Sequence, residues 1–219
     1  MTSAVVLRAS ALGWAAQGRF ILLDLDLEMR AGQWTAISGA NGAGKTTLLQ
    51  ILSGRRAPTR GHVTLHGATL SSLAVHEIGG RIAMLEHQPG LYLDLSGREN
   101  LTLLNALCGG QIDAAEELLA QVGLPPTSWE QRVRLYSRGM RQRAAMARVV
   151  GSSADVWLLD EPATGLDQPG RELLTTLIRQ ATAKGISVLM VTHDIEMMHK
   201  ADRRLCLEQG QLQPVQERV

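Results

Sequence analysis

Apolar and polar residues alternate through much of residues 1–38, in the runs AVVLRA, LLDLDLEM and QWTAIS. Alternation with a period of two is typical of strands that bury one face. The segment RAGQ, just before the last run, has the composition of a turn. We therefore predict a small, largely antiparallel β layer that leads into one buried strand.

The pattern becomes helical over residues 46–52, and Gly54 provides a suitable stop. The segment GHVTLHG then predicts an edge strand or a hairpin. Residues 89–150, which follow the run RIAMLE, lack strand character and contain three helix-like segments: RENLTLLNALCG, DAAEELLAQVG and RGMRQRAAMARVVG. We expect these segments to form a helical subdomain inserted into the fold at about residues 89–150.

Strand character returns in DVWLLDEP, a continuous apolar run that ends in carboxylates, as is typical of a buried strand in a parallel sheet. A helical segment (GRELLTTLIRQATAKG), a strand (ISVLMVTH) and a closing hairpin (RRLCLEQGQLQ) follow. These patterns predict an α/β fold with a mostly parallel sheet, a small antiparallel β subdomain and the inserted helical subdomain. We expect one domain over residues 1–219.

Composition restricts the classes of function. The 22 Lys and Arg residues nearly balance the 21 Asp and Glu residues, so there is no overall basic field to attract nucleic acid or an anionic membrane. Any phosphate binding must be local. No window approaches the roughly 20 apolar residues that span a bilayer, and the start lacks a secretory leader pattern, so we expect a cytoplasmic protein. Cys108 and Cys206 are far apart and fit core thiols better than a disulfide framework.

The segment GANGAGKTT fits the pattern G-x-x-x-x-G-K followed by Ser or Thr, between a predicted strand and a predicted helix. Backbone N–H groups of such a loop wrap phosphates, while Lys45 reaches the β/γ-phosphates and Thr46 places its hydroxyl on Mg²⁺. The alternative is a glycine-rich turn before a helix. The expected nucleotide-binding residues are Gly39, Ala40, Asn41, Gly42, Ala43, Gly44, Lys45, Thr46 and Thr47. This context predicts the core of a P-loop NTPase that binds the phosphates of a nucleotide together with Mg²⁺.

The run VWLLDEP delivers Asp160 at the carboxyl end of a buried strand, where ligands of open α/β sheets bind. We expect Asp160 to hold Mg²⁺ together with Thr46. Glu161, the next residue, can project beside the γ-phosphate and act as the base for the attacking water. Two adjacent carboxylates could instead cap the following turn, but the P-loop upstream favours the catalytic interpretation.

Ser137 and Gly139, in the segment LYSRGMRQR, precede a helical run and form a second helix N-terminus suited to an anion. The P-loop, YSRGMRQR, LLDEPATGLD and VTHD follow one another in the order and approximate spacing of ATP-binding-cassette (ABC) ATPases. From about residue 32 to residue 193, the chain resembles this family, and it does so more loosely towards both ends. Four ordered motifs are far more specific than one.

The resemblance implies that two cassettes pair head to tail and sandwich two ATP molecules. The signature residues of one copy would then face the nucleotide held by Lys45 of the other; they are Ser137, Arg138, Gly139 and Met140. His193 would contact the γ-phosphate, and Asp167 would link the two sites across the interface. Arg138 replaces the first Gly of the usual L-S-G-G-Q, so its side chain must point away from the phosphate and serves at best as an auxiliary cation.

The family commonly stacks an aromatic ring on adenine, upstream of the first core strands. The best-aligned place here falls near Ala16. Trp14 is the nearest large ring and Phe20 the next, so Trp14 is the expected stacking residue. Trp is also a common core residue, and that alternative stays open.

The segment MLEHQPGLYLDLSGREN aligns without a gap on the loop in which the family carries a Gln that touches Mg²⁺ and the attacking water. His87 falls at the position of that Gln, and Gln88 comes one residue later, where a strand register would point it the other way. We therefore expect His87 in the site, with Gln88 as the alternative. The segment is also similar to GHQPG in the haem-exporter ATPases of cytochrome c maturation.

This resemblance implies separate transmembrane subunits that grip the loop around residues 87–100, and a peripheral place on the cytoplasmic face of the bacterial inner membrane. Haem is the expected cargo. The alternatives are a generic exporter of a drug, lipid or polysaccharide, and a soluble cassette ATPase of the iron–sulfur scaffold type. DNA-repair cassettes carry long heptad insertions between the motifs, which are absent from this sequence.

A neutral imidazole accepts a hydrogen bond from water or ligates a metal, whereas an imidazolium does neither. We therefore predict that ATP turnover loses an additional step as the pH falls through about 6.5, the ordinary pKa of a histidine side chain. The pH–rate profiles of the wild type and of His87→Gln should differ in this range. Profiles that coincide there would show that His87 is not the titrating contact.

Overall fold

The computed structural model describes residues 3–16, 18–88, 90–108 and 114–215, apart from the side chain of Cys108. The strands are β1 Val5–Ala16, β2 Arg19–Arg30, β3 Trp34–Ser38, β4 Arg60–Leu65, β5 Ala68–Thr69, β6 Ile82–Leu85, β7 Val156–Asp160, β8 Ser187–Val191, β9 Arg203–Glu208 and β10 Gln211–Pro214. The α-helices are α1 Lys45–Leu52, α2 Val75–Arg81, α3 Gly97–Cys108, α4 Ala115–Gln121, α5 Arg138–Val150, α6 Gln168–Ala183 and α7 Ile195–Lys200. No helix among the described residues has the length and apolar character needed to cross a membrane.

The first sheet is antiparallel, with the strand order β2-β1-β4-β5. Leucines on the inner face of β1 and β2, among them Leu7, Leu12 and Leu22, are fully buried. Alternation accounts for the buried pairs Leu7 and Ala9, and Leu25 and Leu27, because every second side chain of a strand points to the same face. A register shift between Ala9 and Leu12 explains why the next buried leucine comes after an odd interval. The predicted β layer and the hairpin in GHVTLHG are confirmed, with β4 internal and β5 at the edge.

The second sheet has the order β10-β9-β3-β8-β7-β6, and every neighbouring pair is parallel except β9 with the edge strand β10. All five residues of β7 and all five of β8 are buried, as their continuous apolar runs predict. In register, Ile37 pairs with Val191, which pairs with Asp160. The loops after β3, β7 and β8 therefore leave the sheet at the same edge.

Helices α4 and α5 lie within the segments that predicted them, and α3 begins at Gly97, one residue before its predicted segment. Their buried side chains, such as Leu101, Leu119 and Ala145, join one core with residues of β3, β7 and β8. The predicted α/β fold, with mixed sheets and a helical part, is confirmed. The expected start of the middle helix at residue 113 lies outside the described residues.

Two short helices were absent from the prediction. Helix α2 contains no buried residue, so it carries no apolar stripe that a periodicity argument could detect; Glu77 caps it by accepting a hydrogen bond from the N–H of Ala74 at 2.8 Å. Helix α7 has six residues, fewer than two turns. Its start signal, Asp194 as N-cap, could have revealed it.

Candidate active site

The loop between β3 and α1 turns tightly, with positive φ angles at Gly39, Gly42 and Gly44. A Cβ atom on Gly39 would lie 2.5 Å from the carbonyl oxygen of Leu207, and one on Gly44 would lie 2.7 Å from Ile21 Cγ2. Glycine is therefore required at both ends of the loop. No side chain in the described part of the chain caps α1, which leaves the N–H groups of its first turn for an anion.

The ammonium group of Lys45 lies inside this loop. Its Nζ donates to the carbonyl oxygens of Gly39, at 2.7 Å, and Ala40, at 2.9 Å. These carbonyls hold the side chain across the mouth of the loop. A phosphate group bound there would meet a cation together with the N–H groups of α1.

The next contact joins the loop to the sheet. Thr46 Oγ1 donates to Asp160 Oδ2 at 2.7 Å, and Asp160 is buried at the end of β7. Burial raises the pKa of Asp160, the hydrogen bond from Thr46 lowers it, and the negative charge of Glu161 raises it further. A carboxylate with this desolvation cost is stabilised by a cation, and two hard oxygen ligands beside a phosphate site fit Mg²⁺.

Glu161 follows Asp160 with an unusual backbone. Its φ angle is +51°, which is rare for a residue with a side chain and recurs at functional sites. Its N–H donates to the carbonyl of Val191 at 2.9 Å, so the parallel ladder between β7 and β8 fixes this conformation. Its side chain is only 15% exposed.

His193, which follows the end of β8, forms a pair with Glu161. Its Nδ1 lies 2.9 Å from Glu161 Oε1. An ionised carboxylate only accepts hydrogen bonds, so Nδ1 carries the proton and donates. The imidazole is otherwise open, with 79% of the side chain exposed, and its Nε2 is left for a ligand.

These residues line one cleft of about 790 Å³. It brings together six of the nine predicted P-loop residues with the carboxylates and the histidines, while Gly39, Ala40 and Ala43 lie outside its described lining. The lining is Ile21, Asn41, Gly42, Gly44, Lys45, Thr46, Thr47, His87, Arg138, Asp160, Glu161, Thr164, Gly165, Arg171 and His193. Of the described neighbours His87 and Gln88, only His87 belongs to this lining. His87 also acts electrostatically on Asp160, whose pKa it lowers. His87, and not Gln88, therefore faces the carboxylates, from a bend that follows the end of β6 at Leu85.

The signature segment forms the start of α5. Ser137 is the N-cap, and its Oγ accepts from the N–H of Met140 at 3.2 Å. Gly139 touches the loop after Glu161 so closely that a Cβ would lie 2.8 Å from the carbonyl oxygen of Gly165. Arg138 lies along the same glycine, where a Cβ would lie 2.9 Å from Arg138 Cγ. Among the described signature residues, only Arg138 reaches the cleft of its own chain.

Asp167 has two partners within the chain. Its Oδ1 accepts from the N–H of Gly170 at 3.1 Å, which caps α6, and from Arg143 of α5 at 2.9 Å. Gln142, one residue earlier on α5, donates to the carbonyl of Pro162 at 2.9 Å. One face of α5 therefore holds the loop between Glu161 and α6. The expected link of Asp167 to a second copy stays a prediction.

The structure does not bring Trp14 to the P-loop. The guanidinium of Arg56 lies 4.6 Å from the centre of its ring, and Trp14 is absent from the described lining of both clefts beside the loop. Phe20 lines the second of these clefts, about 770 Å³ in volume, and is 42% exposed. Cys206 lines it too and is half-buried, so the prediction of a core thiol is wrong at this position.

Sequence reasoning also missed an ion pair at the edge of the first cleft. Arg171 of α6 donates to Asp194 Oδ2 at 2.6 Å, beside His193. Arg171 stands one turn after Asp167 on a predicted helix, so helical spacing could have placed it towards the same loops.

Comparisons with known proteins agree with this geometry. The model of the ABC transporter family matches residues 22–164. The chain is 34% identical over 194 residues to the cytochrome c biogenesis ATP-binding export protein CcmA of Escherichia coli K12, covering 87% of this chain and 91% of that protein. The protein of the same name from Shigella flexneri shows the same identity and coverage.

Two solved structures share the fold. A dimeric ATP-binding cassette in a post-hydrolysis state, bound to ADP and Pi, superposes with a TM-score of 0.87 at 25% identity, covering 94% of this chain and 96% of that one. A bacterial Atm1-family ABC exporter with ATP bound gives a TM-score of 0.86 at 19% identity, covering 97% of this chain and 38% of the exporter. The second likeness concerns the fold alone.

We predict that Asp160→Asn stabilises the nucleotide-free protein at neutral pH, because a neutral amide that still accepts from Thr46 replaces a buried charge. Burial raises the pKa of Asp160, so the folded state binds the proton more tightly than the unfolded chain, and stability is lost as the pH rises through that raised pKa. The gain in melting temperature should therefore shrink as the pH falls towards 3.8, the ordinary value of this group.

The control for this prediction is Asp94→Asn, which neutralises a carboxylate that is 83% exposed and should give no comparable gain. An equal shift in both variants at neutral pH, or a gain for Asp160→Asn that does not depend on pH, would contradict the assignment of a desolvated carboxylate to Asp160.

Proposed function

This chain belongs to the family of ABC transporter ATPases, whose cassettes hydrolyse ATP in transport, and on that premise we propose that it is the ATP-hydrolysing subunit of the haem exporter of cytochrome c biogenesis. Two copies sandwich two Mg–ATP and drive a separate membrane channel. The observation that carries the ATPase part is the convergence of Lys45, Asp160, Glu161 and His193 on one cleft. The cargo rests on the identity to CcmA over most of both chains.

Nucleotide binding begins at the P-loop. The N–H groups of the loop and of α1 surround the phosphates, and Lys45 exchanges the carbonyls of Gly39 and Ala40 for β/γ-phosphate oxygens. Thr46 and Asp160 hold Mg²⁺, which when bound neutralises charge on those oxygens. We assign the adenine contact to Phe20 and not to Trp14, because the exposed ring of Phe20 lies beside the P-loop.

Hydrolysis then depends on the pair at the ends of β7 and β8. His193 donates to one oxygen of Glu161, which leaves the other oxygen to accept a proton from the attacking water. As an imidazolium, His193 donates from Nδ1 to Glu161 and from Nε2 to the γ-phosphate, and His87 orients the water from the opposite loop. Each group moves a proton or holds an atom in line, which is the main contribution of a protein to phosphoryl transfer.

The second copy completes each site. Ser137, Gly139 and Met140 lie outside the described lining of their own cleft, at the start of a helix whose positive end suits an anion. We infer that they meet the γ-phosphate held by the partner, and that Asp167 links the two sites. ATP bound in the closed dimer provides the differential affinity that closes it, and hydrolysis removes that affinity.

An apolar patch supports a membrane partner. Tyr92, Leu93 and Leu135 are 51%, 52% and 69% exposed, and a hydrogen bond from the N–H of Arg134 to the carbonyl of Leu93 holds their segments together. The patch adjoins the loop that carries His87. We infer that the transmembrane subunits grip the loop around residues 87–100 here, which places the chain peripherally on the cytoplasmic face of the inner membrane.

We predict that Glu161→Gln binds ATP but does not hydrolyse it, because the amide cannot take the proton of the attacking water. The trapped ATP should hold two copies together, as a dimer detected by size-exclusion chromatography with Mg–ATP but not with ADP. Lys45→Ala is the matched control and should show neither ATP binding nor a dimer. Unchanged turnover in Glu161→Gln would remove Glu161 from the role of base, and unchanged ATP affinity in Lys45→Ala would contradict the phosphate contact.

The cargo is tested in cells. A strain without this gene should lose covalently bound haem in its c-type cytochromes while its b-type cytochromes stay intact, and the wild-type gene should restore it where Lys45→Ala does not. Normal c-type cytochromes would redirect the function to a generic exporter. A chain that stays soluble when it is expressed together with its neighbouring membrane proteins would favour a scaffold ATPase.

A further inference from the structure

We propose that Arg171 is a positioning residue that holds His193 in its catalytic geometry through Asp194. Arg171 Nη1 donates to Asp194 Oδ2 at 2.6 Å, and Asp194 is the residue after His193. The pair lies at the rim of the cleft, where Arg171 and His193 both belong to the lining. The inference rests on the role of His193 proposed above.

Each oxygen of Asp194 has a separate function. Oδ1 accepts from the N–H groups of Glu196 and Met197, at 3.0 and 3.2 Å, and so caps α7. Oδ2 receives the guanidinium of Arg171. The side chain of Asp194 is 13% exposed, so water cannot easily replace either contact.

His193 depends on this anchor because it has little support of its own. Its side chain is 79% exposed, and the hydrogen bond that the structure shows for its ring is the one to Glu161. The backbone before it is fixed by the N–H of Thr192, which donates to Ile37 at 3.0 Å. The backbone after it is held by Asp194, whose N–H donates to Thr192 Oγ1 at 3.0 Å and whose carboxylate accepts from the first turn of α7. The ion pair with Arg171 adds the contact that ties this short loop to α6.

Three side chains on one face of α6 contact α7 or the residues that flank it. Arg171, Thr175 and Arg179 follow at intervals of four residues, which puts them on the same side of a helix. Thr175 Oγ1 lies 3.6 Å from Met197 Sδ, in the middle of α7. Arg179 donates to Asp202 Oδ1 at 2.6 Å, beyond its far end. Only the contact made by Arg171 lies at the end of α7 that carries His193.

Loss of the pair should affect turnover and leave nucleotide binding unchanged. Without Arg171 the loop that carries His193 can shift, and a displacement of this kind weakens the geometry of Glu161 and its water. The P-loop keeps its contacts because none of them involves Arg171. We expect kcat to fall about tenfold, since small misplacements of catalytic groups have effects of this order or larger, while KM for ATP stays within about twofold.

The experiment compares Arg171→Gln and Asp194→Asn with the control Arg179→Gln. Asparagine still caps a helix, so Asp194→Asn removes the ion pair and keeps the cap of α7. Arg179→Gln breaks an ion pair of the same length on the same face of α6. Arg179 also donates to the carbonyl oxygen of Lys200 and lies over the ring of Trp34, so Arg179→Gln should lower the melting temperature at least as much as Arg171→Gln and leave kcat unchanged.

A double-mutant cycle with His193→Ala separates positioning from a general structural effect. If Arg171 acts through His193, Arg171→Gln should lower kcat about tenfold in the wild-type background and have no further effect in the His193→Ala background. Equal effects in both backgrounds, a rise in KM in place of a fall in kcat, or an equal loss in Arg179→Gln would each overturn the inference. If His193→Ala itself leaves kcat unchanged, the proposed role of His193 fails, and the inference fails with it.

Discussion

Parallel backbone pairing of β3, β8 and β7 is the constraint on which the active site depends. Because Ile37, Val191 and Asp160 stand side by side in register, the chain leaves all three strands at the same edge. The P-loop, the carboxylate pair and His193 are distant in sequence, and this ladder alone brings them within hydrogen-bonding distance. The N–H of Glu161 even uses the last carbonyl of β8, so the ladder extends into the site.

Burial gives the two neighbouring carboxylates different chemistry. Asp160 is almost completely enclosed and is held by one hydroxyl, which raises the cost of its charge and prepares it for a cation. Glu161 turns out of the strand through its positive φ angle and meets an exposed imidazole. Two adjacent residues can therefore serve as a metal ligand and a proton acceptor, because the backbone conformation directs their side chains to different surroundings.

The sequence was informative where local pattern and function coincide. The P-loop spacing and the continuous apolar runs of β7 and β8 were each readable from a few adjacent residues. The place of His87 was also expected, but the bend after β6 directs its side chain, and not the strand register on which the expectation relied. The sequence did not predict the position of a residue or helix where that position depends on contacts between distant segments. Helix α2 has no buried face to detect, and the place of Trp14 depends on a stacking partner, Arg56, that lies far along the chain.

The contact between Arg138 and Gly165 limits how this sequence can drift. The methylene groups of Arg138 fill the space that a side chain at position 165 would need, so the two positions are not free to vary independently. A descendant with glycine at 138 loses the steric restriction on position 165, although the left-handed backbone at 165 still favours glycine. A descendant that keeps the arginine therefore favours glycine at 165 for two reasons, so the unusual signature constrains a second residue, in the LLDEPATGLD motif.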